Sequence, residues 1–307
     1  MVREYAPLVG WIAAWVIITA AVGSADAARL FAATIFVRSA RALTGASVVL
    51  AIRRRIGASL AVRRATLRMS LIVEAGTLVG SIVMLAGVLA VLGAGDPRAA
   101  SLCLIVASGL AAHYLLPFAA SRNYYPVYAS ARTWSSAALA AGAWAGGLGA
   151  ESFAIILAMR EWLGLAAALL FATPVTRDKS RIFPADFTEI ATLSFARGRR
   201  RLTYRLGKGL LSTVFGPFGT IAARTGRTMG ADRSLQHLTP REPRALALLA
   251  MAAAAPALAL LLLVPRPITM LVAASLLNIA AAAANVLLWR WLSGASTGGD
   301  NLDADED

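Results

Sequence analysis

Apolar runs fill most of the chain, and short polar stretches divide them at intervals close to the thickness of a membrane. Several runs approach or exceed the ~18–20 residues with which a helix crosses ~30 Å of hydrocarbon. The first, Pro7 to Gly23, carries Trp11 and Trp15 in its first half, with Tyr5 just before it. Arg3, the apolar run and the Ala25-Asp26-Ala27 triplet also fit a secretory signal peptide. The two tryptophans, Glu4 beside Arg3 and the next hydrophobic segment favour a retained helix.

The second run, Leu30 to Ile52, is followed by Arg53, Arg54, Arg55, Arg63, Arg64 and Arg68 with no acid among them. Such a cationic exit belongs on the cytoplasmic side. A third span, Ser70 to Leu92, carries Glu74 a little more than a turn above that loop, and Gly93 to Arg98 reads as a periplasmic Gly/Pro turn. The fourth, Ala100 to Ala120, holds Cys103, Ser108 and His113. After it, Ser121 to Arg132 reads as a short cytoplasmic loop with an aromatic belt of three tyrosines.

Two crossings must lie between Thr133 and Thr173. A turn at Gly146 to Glu151 gives spans Trp134–Leu148 and Ser152–Thr173. The rival puts Arg160 and Glu161 in the turn, which leaves only about 14 apolar residues for the return. Residues 245–264 and 268–291 form the last pair, joined by Val264-Pro-Arg-Pro. The reading is therefore all-α, with about eight transmembrane helices and both termini cytoplasmic. It divides into a six-helix bundle over 1–173, a basic cytoplasmic segment over 174–244, a helical hairpin over 245–292 and an acidic, disordered tail over 293–307.

Composition agrees with this class. Hydrophobic residues make up 58%, charged residues only 15%, and mean hydropathy is +0.67, against about a quarter charged in soluble domains. The net charge of +14 is almost all arginine, with Lys179 and Lys208 as the only lysines. In a soluble chain that would suggest nucleic acid; here the cations border spans, so orientation and anionic lipid account for them and no nucleic-acid partner is expected. Ala- and Arg-rich, Lys-poor usage points to a GC-rich bacterial genome and an inner membrane. The single cysteine, Cys103, excludes an internal disulfide and a cysteine metal cluster.

The segment 174–244 has no acid between Glu189 and Asp232, and its apolar centre, Leu210 to Ala223, is broken by Gly216-Pro217. About 14 residues is too short to span. It reads as an interfacial or re-entrant element that meets anionic lipid through Arg199, Arg200, Arg201, Arg205, Lys208, Arg224 and Arg227. The plainer alternative is a solvated cationic loop that only orients the protein.

The motifs H-E-x-x-H, G-x-x-x-x-G-K-[ST] and G-x-S-x-G do not occur, and no acidic cluster for a divalent metal stands in a loop. An enzyme is therefore the less expected class, and no cofactor or metal is implied. His113 is expected to hydrogen-bond between helices. The functional candidates are the charges inside spans. An arginine at mid-bilayer costs at least ~2.5–3.5 kcal/mol and so faces a bundle interior or wet cavity. Arg38 and Arg41 share a helical stripe with Thr34 and Gly45, and lie about eight to fourteen residues from the span ends, roughly 12–21 Å and beyond snorkelling reach. Arg38, Arg41, Thr34 and Glu74 are the candidate substrate-binding residues. Two inward cations suit a phosphate or pyrophosphate; the alternatives are a structural pairing with Glu74 or Glu161, or an oblique second helix.

The stretches GSADAARLFAATIFVRSARALTGASVVLAIRRR and ASGLAAHYLLPFAASRNYYPVYASART resemble the second and fourth helices of polysaccharide or lipid-linked oligosaccharide flippases, in the multidrug/oligosaccharidyl-lipid/polysaccharide superfamily. The resemblance covers about 1–173 and rests on helix lengths and loop order. It implies a transporter of an anionic, lipid-linked substrate, with early-helix arginines facing a central cavity. Members have twelve or more helices in two repeats, so a chain of eight implies a homodimer, a partner membrane protein or lost transport. A second class is a non-transporting protein that docks partners or anionic lipid through its basic segment. A membrane-bound transferase is a third.

Overall fold

The computed structural model describes residues 2–44, 60–119, 124–173 and 243–296, with no strand among them. Among the described residues, eight α-helices follow in chain order: α1 (Val2–Thr44), α2 (Leu60–Gly95), α3 (Pro97–Ala107), α4 (Leu110–Tyr114), α5 (Tyr124–Ala145), α6 (Ala150–Phe171), α7 (Pro243–Leu263) and α8 (Pro267–Ser296), with a 3-10 turn at Leu116–Ala119. The basic segment, including Arg199, Arg200, Arg201, Arg205, Lys208, Arg224 and Arg227, lies outside the described residues, as do Gly45 and the arginines Arg53 to Arg55.

Helix α1 is not one rod. Gly23 has φ 79° and ψ 168°, a region that only glycine enters cheaply. The chain folds back there, so the Trp15 and Phe31 rings meet edge to face at 4.9 Å, whereas sixteen residues of straight helix span ~24 Å. The sequence expectation of two consecutive apolar segments here matches this bend. The second arm is described through Thr44, and the remainder of the expected span to Ile52 lies outside the described residues.

The α1 bend and the α2–α3 turn share one end of the bundle. Arg29 Nε donates to Asp96 Oδ2 at 2.8 Å, its Nη1 reaches Asp26 Oδ1 at 2.8 Å, and Arg98 Nη2 lies 2.7 Å from Asp26 Oδ2. Asp96 also N-caps α3 by accepting from the Ala99 amide at 3.0 Å, with Pro97 at the first helical position. The 264–266 turn joins this end, because a Cβ on Gly95 would stand 2.9 Å from Pro265.

Among the described residues, three stretches are long and apolar enough to cross a membrane: Val9–Arg41, Ser70–Gly95 and Ala150–Phe171. Ala247–Leu263 and Pro267–Ala281 are shorter apolar helices. Much of the outside is apolar: Ile72, Val83, Leu170, Phe171, Leu263 and Ile268 are all well exposed. Inside lie Glu74, Arg160, Glu161 and Asn278. An apolar exterior around a mostly apolar core with a few buried charges is what hydrocarbon surroundings favour.

Two expected elements are built differently. The fourth span breaks at Ser108-Gly109 into α3, α4 and a 3-10 turn. The segment read as a tyrosine loop contributes the first two turns of α5 from Tyr124 onward. Pro126 does not prevent this, because the first helical turn has no hydrogen bond for its missing N–H to lose.

Candidate functional site

The turn between α5 and α6 is Gly146–Gly149, where Gly147 has φ 64°. Arg160 and Glu161 therefore stand in the middle of α6, where they are 7% and 9% exposed. The preferred of the two possible turns is the one found, and it buries a charged pair in the bundle.

Glu161 is the centre of the site. Arg160 Nε donates to its Oε1 at 3.2 Å, and Arg132 Nη1 donates to its Oε2 at 3.3 Å. Tyr128 Oη donates to Oε2 as well, and His113 Nε2 lies 3.6 Å from the same oxygen. Tyr128 and Arg132 are four apart on α5 and so share a face; the Arg132 guanidinium also lies 5.6 Å from the Tyr128 ring centroid. The His113 and Tyr128 rings are 6.5 Å apart.

Glycines allow this convergence. A Cβ on Gly109 would come within 2.8 Å of the Ala158 carbonyl oxygen and 3.3 Å of Glu161 Cγ. On α6 itself, a Cβ at Gly164 would meet the Tyr128 ring at 3.0 Å. Bare backbone at these two points lets α4 and α5 close on α6, carrying His113 and Tyr128 to the carboxylate.

A second ion pair lies beside the first. Arg41 of α1 donates through Nη2 to Glu74 Oε2 and through Nη1 to Thr77 Oγ1, the latter at 2.6 Å. Glu74 is only 1% exposed.

The four candidate residues thus take separate places. Arg41 and Glu74 come together as the structural-pairing alternative describes. Arg38 is exposed. Thr34 is buried, and its hydroxyl donates at 2.8 Å to the Leu30 carbonyl of its own helix. Sequence reasoning left Glu161, Arg160, Tyr128 and Arg132 out of the site: the first two were in doubt between helix and turn, and the last two were assigned to a loop. The signal available was the tyrosine-arginine spacing of four.

Among the described residues, no group of three or more His, Cys, Asp or Glu is arranged to hold a metal ion. A groove of about 410 Å³ between α5 and α6 is lined by Leu139, Gly142, Leu148 and Ile155, and holds none of the charged residues. The chemistry of the ionic site is that of anion recognition: guanidiniums, a phenol and an imidazole around one negative charge. No family model matches the chain, and no curated protein or solved structure matches it either.

Proposed function

We propose that the chain is a multi-pass protein of the bacterial inner membrane that handles an anionic, lipid-linked substrate in a flippase-like manner. The observation that carries this reading is the gathering of Arg41, Arg132 and Arg160 on two carboxylates, Glu74 and Glu161, within the helical bundle. Arginines at that depth are costly in hydrocarbon unless they serve a partner or a polar path. The partially exposed sides of Arg38, Arg41 and Arg132 supply the access a head group needs.

Eight crossings with both termini cytoplasmic fit the same reading. Gly23, Asp96 and Pro265 then mark the periplasmic end, while the basic exits lie in the cytoplasm, as the positive-inside rule requires. The site falls in the cytoplasmic half, where the substrate of an outward-moving flippase enters. An eight-helix chain would act as a homodimer or with a partner membrane protein.

The test is reconstitution into vesicles with a fluorescent anionic lipid and a neutral one. Arg38→Gln and Arg132→Gln variants that insert normally are expected to lose movement of the anionic lipid. Movement that survives both, combined with loss of function on neutralising Arg199, Arg200, Arg201 and Arg205, would overturn transport in favour of docking through the basic segment.

A further inference from the structure

Tyr128, His113, Arg132 and Arg160 come from three helices, and all turn toward one carboxylate. Two guanidinium forks, a phenol hydroxyl and an imidazole nitrogen also form a donor set for a tetrahedral oxyanion. Glu161 fills that set with both oxygens, Oε1 toward Arg160 and Oε2 toward the other three. The site is deep but not sealed. The Arg160 and Glu161 side chains are 9% and 12% exposed, whereas those of Arg132 and His113 are 27% and 22% exposed.

The geometry points to an exchange site, in which Glu161 is a resident counter-anion that a phosphomonoester displaces from Arg132, Arg160, Tyr128 and His113. This rests on the anionic-substrate reading above and names the chemistry it recognises. A carboxylate brings one charge and two oxygens to these donors. A phosphomonoester brings about −1.5 to −2 charges at neutral pH and three acceptor oxygens, so it satisfies the same groups more fully. With the substrate away, Glu161 compensates the two guanidiniums, which stand among apolar helices. With the substrate bound, the phosphate takes the donors and the Glu161 side chain turns aside. No covalent bond changes.

Binding to the purified full-length protein in detergent tests the exchange, with short-chain phosphatidic acid and inorganic phosphate as probes and phosphatidylcholine as control. Glu161→Gln keeps the shape and removes the competing charge; it is expected to bind phosphatidic acid about tenfold tighter, whereas Arg132→Gln binds it at least about tenfold more weakly. A folded Glu161→Gln variant that binds no tighter than the parent overturns the proposal. If that variant does not fold, Glu161→Asp serves, because it keeps the charge but draws the carboxylate back by one methylene. It is then expected to bind about threefold tighter, and an unchanged or weaker affinity overturns the proposal. Tightening toward phosphatidic acid alone identifies a lipid head group as the ligand; tightening toward inorganic phosphate as well identifies phosphate itself. Tightening toward neither overturns the exchange. Lipid movement in vesicles separates the two readings: tightening without movement counts against transport alone, and movement without tightening counts against the exchange alone.

Discussion

Gly109 lies so close to α6 that a Cβ on it would stand 2.8 Å from the carbonyl oxygen of Ala158. No side chain fits there without moving backbone. Gly109→Val is therefore expected to push α4 off α6, withdraw His113 from Glu161 and cost about 1–3 kcal/mol of stability. Thermal unfolding in detergent checks the cost. The same substitution at Gly76, which has open space around it, is expected to leave the melting temperature nearly unchanged.

The Arg41–Glu74 contact ties α1 to α2 across 33 residues of sequence. Glu74→Gln leaves the guanidinium without its counter-charge among apolar helices, and breaking a buried pair in this way costs about 3–5 kcal/mol. Replacing both, as Arg41→Met with Glu74→Leu, is expected to recover most of that loss. Unfolding of Arg41→Met, Glu74→Leu and the double variant forms the cycle; a double variant as unstable as the sum of those singles would show that the pair is not coupled.

Asp96 has two roles that separate by substitution. Its Oδ1 caps α3 and its Oδ2 binds Arg29. Asp96→Asn keeps a capping oxygen and loses the charge, while Asp96→Ala loses both. The alanine variant is expected to be less stable than the asparagine variant by about 1 kcal/mol, the worth of an N-cap. Equal destabilisation would mean that the cap contributes nothing.

At Gly23 the backbone at φ 79° and ψ 168° admits a side chain only with strain, although no neighbouring atom stands in the way of a Cβ. Gly23→Ala is expected to cost about 1–3 kcal/mol from backbone conformation alone. Opening of the α1 hairpin would also part Trp15 from Phe31, so a change in tryptophan emission is expected beside the loss in melting temperature.

Periodicity and run length were enough to read the all-helical class, the two apolar arms meeting near Gly23 and the turns at Asp96 and Gly146. These follow from local rules: an apolar run of spanning length forms helix, and Gly and Pro end it. The tyrosine segment misled for a local reason too. Tyrosine, arginine and proline together look interfacial, yet Pro126 falls in the first turn of α5, where it does no harm.

What the sequence by itself determined is the kind of object: a hydrophobic, arginine-rich helical chain with cations inside its apolar runs. Which carboxylate meets which arginine was decided only by tertiary structure. Arg38 and Arg41 stand three apart on one helix, and spacing alone makes them a pair; packing sends Arg41 to Glu74 on α2, while Arg38 is exposed. Glu161 could not be identified as the centre from one dimension, because its partners at 113, 128 and 132 lie 48, 33 and 29 residues away and come together only where Gly109 and Gly164 let the helices touch. Helix formation is governed by neighbours a few residues apart, whereas a buried ionic site is governed by the close approach of different helices.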